Sequence, residues 1–183
     1  MNILGVAMTL IAGSAALAGE TLTVCMNTGL NVPVLRKAQA TASQIMKDAG
    51  VKLEWRSSLE RCKSTARSIL IELSLKTAEA RFPGAFAYAL PYEGSHIVVF
   101  YDRVMSSSDA QRTPLIMGHV LAHEITHILE GLIRHSESGL MKAKWDYLDH
   151  GAMEQKRLAL SRVDVELIGA GLKRKLEFKQ PAL

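Results

Sequence analysis

His123 and His127 stand four residues apart, with Glu124 directly after the first. On an α-helix, positions i and i+4 share a face with Cβ atoms about 5–6 Å apart, so both imidazoles can converge on one cation. Glu124 leans off that face, where its carboxylate holds a water beside the ion rather than the ion itself. Such a set suits hydrolysis, in which a cation polarises a carbonyl and acidifies water while a carboxylate handles the proton. A lone histidine on an apolar face is more often a hydrogen-bonded core residue. Two of them with a glutamate, inside an otherwise apolar helix, are costly to bury unless a cation compensates. Zinc accepts imidazoles, and a catalytic zinc usually takes three protein ligands and keeps its fourth position for water.

His135 is the leading candidate for the third ligand. Gly131 lets the chain reverse through a left-handed conformation, and four residues later His135 can fold back under the pair. Glu137 is the nearest carboxylate alternative, with Glu154 and Glu166 more remote. His119 falls one turn before His123, too far along to share the ion, and is expected beside the ligands or at the surface of the first turn. His96 and His150 carry no spacing argument.

The elements that must position these residues can be traced by periodicity. Thr21 to Met26 alternates and is rich in β-branched residues, which predicts a strand. Asn31 then caps a helix with Pro33 in its first turn and Gly50 at its end. Val51 to Arg56, Ser68 to Leu75 and His96 to Tyr101 read as three more strands, the last apolar enough for the sheet interior. Between the last two, Arg81 to Ser95 is rich in turn residues. Thr113-Pro114 opens the helix that bears the histidines, apolar around most of its circumference and stopped by Gly131. Ser161-x-x-Asp164 predicts a capping box before a last helix with Val165, Ile168 and Leu172 inward. The order β-α-β-β-β-α-loop-α describes one α+β domain with a small mixed sheet and a buried helix carrying the site.

Residues 1–18 stand apart. An apolar run from Ile3 to Ala12 leads through small residues to Ala16-Leu17-Ala18, the pattern of a cleaved secretory signal peptide. Residues 19–183 then form the domain, secreted or periplasmic, long enough to bury a core. Charged residues at 22% exclude a disordered chain. The net charge of +4 is scattered, and the one run, Lys173-Arg174-Lys175, suits a solvated helix C-terminus better than a nucleic acid. Cys25 and Cys62 are the two cysteines; in an oxidising compartment they are expected to pair. A monomer is expected.

The string from His123 to His135, H-E-I-T-H-I-L-E-G-L-I-R-H, followed by Ser138-Gly139-Leu140-Met141, resembles the metzincin peptidases. Their pattern has two residues on each side of the glycine, where this chain has three. The spacing is also similar to that of secreted bacterial zinc peptidases whose loop runs H-S-x-x-G-x-M-x-A-x-W, matched here from His135 to Trp145. The resemblance covers about Val120 to Trp145. It implies a zincin-like fold, one catalytic Zn2+ on His123, His127 and His135, a methionine turn at Met141, and an edge strand that receives an extended peptide.

Glu124 is then the general base, and an oxyanion donor is needed. Tyr147, six residues past Met141, is the candidate by analogy with a metzincin tyrosine, and His150 is another. Val98 to Tyr101 either receives the substrate by strand addition or is an interior strand. The expected activity is that of a zinc metallopeptidase acting on peptides or proteins. The alternatives are a zinc hydrolase of a non-peptide amide and a non-catalytic metal-binding module, against which Glu124 argues because a structural site needs no base.

Overall fold

A computed structural model describes residues 20–26, 31–57 and 68–177. Its elements run β1 (Glu20–Met26), α1 (Val32–Asp48), β2 (Val51–Arg56), β3 (Ser68–Ser74), β4 (Ala87–Leu90), β5 (His96–Phe100), α2 (Tyr101–Ser106), α3 (Thr113–Glu130), α4 (Tyr147–Gln155) and α5 (Arg162–Glu177). The expected α+β class, with a mixed sheet and a buried helix, is found. The sheet order is β2-β1-β3-β5-β4. β1 pairs in parallel with β2 and β3, and β3 with β5; β4 is antiparallel to β5 at the edge.

β4 corrects one expectation. It lies within the turn-rich stretch and takes the edge position, so β5 is paired on both sides and Val98 to Phe100 has no free edge. Tyr101 begins α2. A substrate strand therefore has nowhere to add along Val98–Tyr101.

Local chemistry explains the helices. Asn31 Oδ1 accepts from Val34 N and caps α1, which buries Leu35, Ala38, Ala42, Ile45 and Met46. α1 packs against α3 closely enough that a Cβ at Gly118 would sit 2.5 Å from Thr41 Cβ. Every residue of α3 except Leu115 is buried, which fits its near-uniform apolarity. The helix ends at Gly131, whose φ of 70° lets its N–H bond back to His127 O at 2.9 Å. α5 opens on the expected capping box: Ser161 N donates to Asp164 Oδ2 at 2.7 Å, and Asp164 N to Ser161 Oγ at 3.2 Å. Ile168 and Leu172 are buried and Val165 half-buried. α3 contacts α1, α5, β4 and β5, so the histidine-bearing helix meets the edge strand.

The segment 1–18 lies outside the described residues, as does Cys62, while Cys25 is fully buried on β1. Among the described residues no helix is long and apolar enough to cross a membrane. In the basic run, Arg174 donates to Glu130 O and Lys175 to Gly94 O. Two of its three cations thus also tie α5 to its neighbours.

Candidate metal centre

α3 supplies two of the site's imidazoles from its last turns, with His123 and His127 both buried. The Gly131 reversal returns the chain so that His135 joins them. One ring nitrogen from each of His123, His127 and His135 lies within 4.8 Å of the others. The ring centroids of His123 and His127 are 4.7 Å apart, and His135 lies 5.4 Å from the first and 5.1 Å from the second. The carboxylates weighed as third ligands are elsewhere: Glu137 is exposed, Glu154 pairs with Arg112, and Glu166 with Arg162 at 2.9 Å.

The hydrogen bonds around the pair decide which nitrogens are free. His123 Nδ1 is 2.9 Å from Leu140 O, and His127 Nδ1 is 3.0 Å from Leu132 O. A carbonyl only accepts, so each ring places its hydrogen on Nδ1 and leaves a lone pair on Nε2. Those two Nε2 atoms face each other at 3.0 Å. Two lone pairs at that distance repel unless something positive lies between them. Burial also pushes both rings down to about 4, opposed by the carbonyl bonds, so a proton is a poor filler at neutral pH. Neutral imidazoles oriented through Nδ1–H to backbone carbonyls form the donor set that zinc takes, and the residues present fit that ion.

Glu124 is buried beside this cluster. Desolvation pushes its carboxyl up to about 8, opposed by a hydrogen bond from the Ala89 N–H. That bond follows from the β4 register. Phe100 N donates to Phe86 O at 2.8 Å, so Tyr88 and Leu90 bond to β5, while Ala87 and Ala89 turn their peptide groups outward. The outer edge of β4 and the histidines border one cleft of about 510 Å³, walled mainly by apolar side chains such as Phe86, Val120 and Trp145.

Tyr147 does not enter this cleft. It occupies the first turn of α4 and is 81% exposed. His150, one turn later, does line the cleft, as does Trp145. Both carry a buried ring nitrogen, His150 Nε2 and Trp145 Nε1, with no partner among the described residues. The Trp145 ring meets His123 nearly edge-on, with centroids 5.7 Å apart. His119 is neither a ligand nor a surface group. It is fully buried, with Nδ1 2.8 Å from Leu115 O and Nε2 accepting from Leu158 N at 3.1 Å. It ties α3 to the segment before α5. Met141 is fully buried, and its carbonyl accepts from Ser136 N at 2.7 Å to close the loop that bears His135.

No family model matches the chain, and no curated protein matches it. Solved structures do. A zinc-dependent peptidase from Methanocorpusculum labreanum superimposes with a TM-score of 0.57, covering 80% of this chain and 99% of its own at 13% identity. The fold is zincin-like. The archaemetzincin of Methanopyrus kandleri agrees, at a TM-score of 0.54 and 17% identity, over 87% of this chain and 98% of that one. Within the zincin-like fold, β4 and the Leu132 and Leu140 carbonyls were not marked by sequence pattern. Trp145 was visible only as the end of a motif.

Proposed function

We propose that the protein is a zinc-dependent metallopeptidase, exported through residues 1–18 and active outside the cytoplasm. The observation that carries this reading is the pair of Nε2 lone pairs converging at 3.0 Å, with His135 beside them and a buried glutamate next in the chain. A zinc ion held by His123, His127 and His135 supplies Lewis acidity, polarising a carbonyl and acidifying water. Glu124 takes the proton of the attacking water and returns it to the leaving amine. Its site excludes bulk water, which suits a carboxylate that must gain and lose a proton near neutral pH. An extended peptide lies against the outer edge of β4, bonding to the outward peptide groups of Ala87 and the carbonyl of Ala89. His150 and Trp145, which line the cleft and each carry a buried ring nitrogen without a partner among the described residues, are better placed than Tyr147 to meet a substrate carbonyl. That one of the solved structures sharing the fold is described as a zinc-dependent peptidase, and the other as an archaemetzincin, supports the reading.

The test is digestion of a peptide library by residues 19–183, with and without chelator, beside metal analysis. About one zinc per chain and chelator-sensitive cleavage are expected. Glu124→Gln should retain zinc and lose at least ~100-fold in kcat, the usual scale for general acid–base catalysis. Cleavage that survives in the Gln variant removes Glu124 as the base. Zinc without peptide cleavage moves the substrate to a non-peptide amide.

A further inference from the structure

Arg134 directly precedes His135, and its guanidinium faces two buried carboxylates. Its Nη2 makes an ion pair with Asp164 Oδ1 at the start of α5 and lies 3.6 Å from Glu130 Oε1 at the end of α3. Glu130 and Asp164 are each 1% exposed. Neither Glu130 side-chain oxygen has a hydrogen bond among the described residues. The free oxygen of Asp164 accepts the Ser161 N–H. One guanidinium nitrogen thus joins the end of α3, the loop and the start of α5, while Arg134 Nε has no partner among the described residues. Ion pairs of this burial are geometrically demanding, because displacing one partner leaves a desolvated charge behind.

His135 depends on its neighbours for its position. Its ring has no hydrogen bond among the described residues, unlike His123 and His127, whose Nδ1 atoms are each tied to a carbonyl. What fixes it is the backbone on either side: Arg134 before it, and after it Ser136, whose N–H is held by Met141 O. We propose that Asp164, acting through Arg134, is a positioning residue for His135, so that zinc affinity is set in part from a helix 30 residues downstream of Arg134. This rests on His123, His127 and His135 being the ligand set.

Zinc affinity, measured by competition with a chromophoric chelator, tests it without reference to activity. Asp164→Asn keeps the shape and the capping acceptor but removes the charge, and should weaken zinc binding about 10–100-fold, the range found when groups that orient ligands are lost. Ser161→Ala disturbs the same helix start and leaves the ion pair alone, so affinity should stay within about twofold of the parent. In a His135→Ala background, Asp164→Asn should cost almost nothing further, since its effect passes through the missing ligand. The proposal is overturned if Asp164→Asn binds zinc like the parent, if Ser161→Ala weakens it equally, or if the loss persists without His135. An unchanged affinity in His135→Ala alone overturns the ligand set itself, a separate result. Should Asp164→Asn fail to fold, Arg134→Gln removes the cation that reaches Asp164 and should weaken zinc binding by the same roughly 10–100-fold, whereas parent-like affinity overturns the proposal.

Discussion

Glu130 sits three residues past His127, and burial pushes its carboxyl up to about 7 despite the nearby Arg134. An ordinary glutamate in the unfolded chain titrates near 4.5. The folded state therefore holds the proton more tightly, and this residue's contribution to stability falls as pH rises from about 4.5 through about 7. Glu130→Gln abolishes that fall. Its melting temperature minus that of the parent should be smallest near pH 4.5, climb until about pH 7 and then level off; a pH-independent difference would show that Glu130 does not titrate on folding. At this scale the sequence was readable where residue type and spacing had one geometric outcome. His123 and His127 converge because i and i+4 share a helical face, Glu124 stands beside them at the next position, and His135 returns because Gly131 adopts φ 70°. Tyr147 and His150 show the limit. They lie three apart on α4, and the rotation that exposes the first while turning the second to the cleft depends on the Asp146–Asp149 capping box and on packing of Met153.

Among elements, β4 was the hardest to foresee. Four residues, AYAL, offer no β-branched side chain and follow a Pro-Gly turn. The loop that leads into this strand is held from outside: the Arg103 guanidinium on α2 donates to the carbonyls of Ala78, Arg81, Phe82 and Ala85. It shapes the approach to β4, including Phe82 at φ 48°, a conformation uncommon for a bulky residue. Arg103→Ala should leave zinc content unchanged and raise KM for peptides more than it lowers kcat; equal loss of both would place Arg103 closer to the chemistry. α1, α3 and α5 were legible because in each an apolar face agrees with an end signal: Asn31 and Gly50 for α1, Pro114 and Gly131 for α3, and the Ser161–Asp164 box for α5. Their mutual approach was not, since it depends on which glycine faces which neighbour. A Cβ at Gly171 of α5 would overlap the Leu129 carbonyl of α3, whereas Gly151 of α4 faces open space. Gly171→Ala should destabilise by about 1–3 kcal/mol, and Gly151→Ala should stabilise by up to about 1 kcal/mol. Chemical denaturation of both variants gives the comparison, and a neutral Gly171→Ala would mean that α5 packs less closely than described.

For the molecule as a whole, the proposed zinc would couple to the fold. A ligand that binds the folded state alone, free at a thousand times its Kd, adds about 4 kcal/mol. In a domain of this size that is on the order of 10 °C in Tm. Chelator should lower the melting temperature by that scale, and His135→Ala should blunt the response; identical melting with and without zinc would separate the metal from stability. The single α+β domain was legible because, after the first strand and helix, a run of strands is followed by a run of helices. The place of each strand was not, because pairing joins residues that no local pattern connects. That pairing has a consequence in time. β3 lies at the centre of the sheet, with β1 on one side of it, and β4 joins it only through β5. Parallel neighbours need crossovers, and contacts distant in sequence are slow to form. The edge against which a peptide would lie thus hangs at the end of a series of pairings that starts at the centre. β4 and β5 are close in sequence, so the edge strand waits on β5 reaching β3; on the proposed function, a chain without that pairing would have no finished cleft with which to cut.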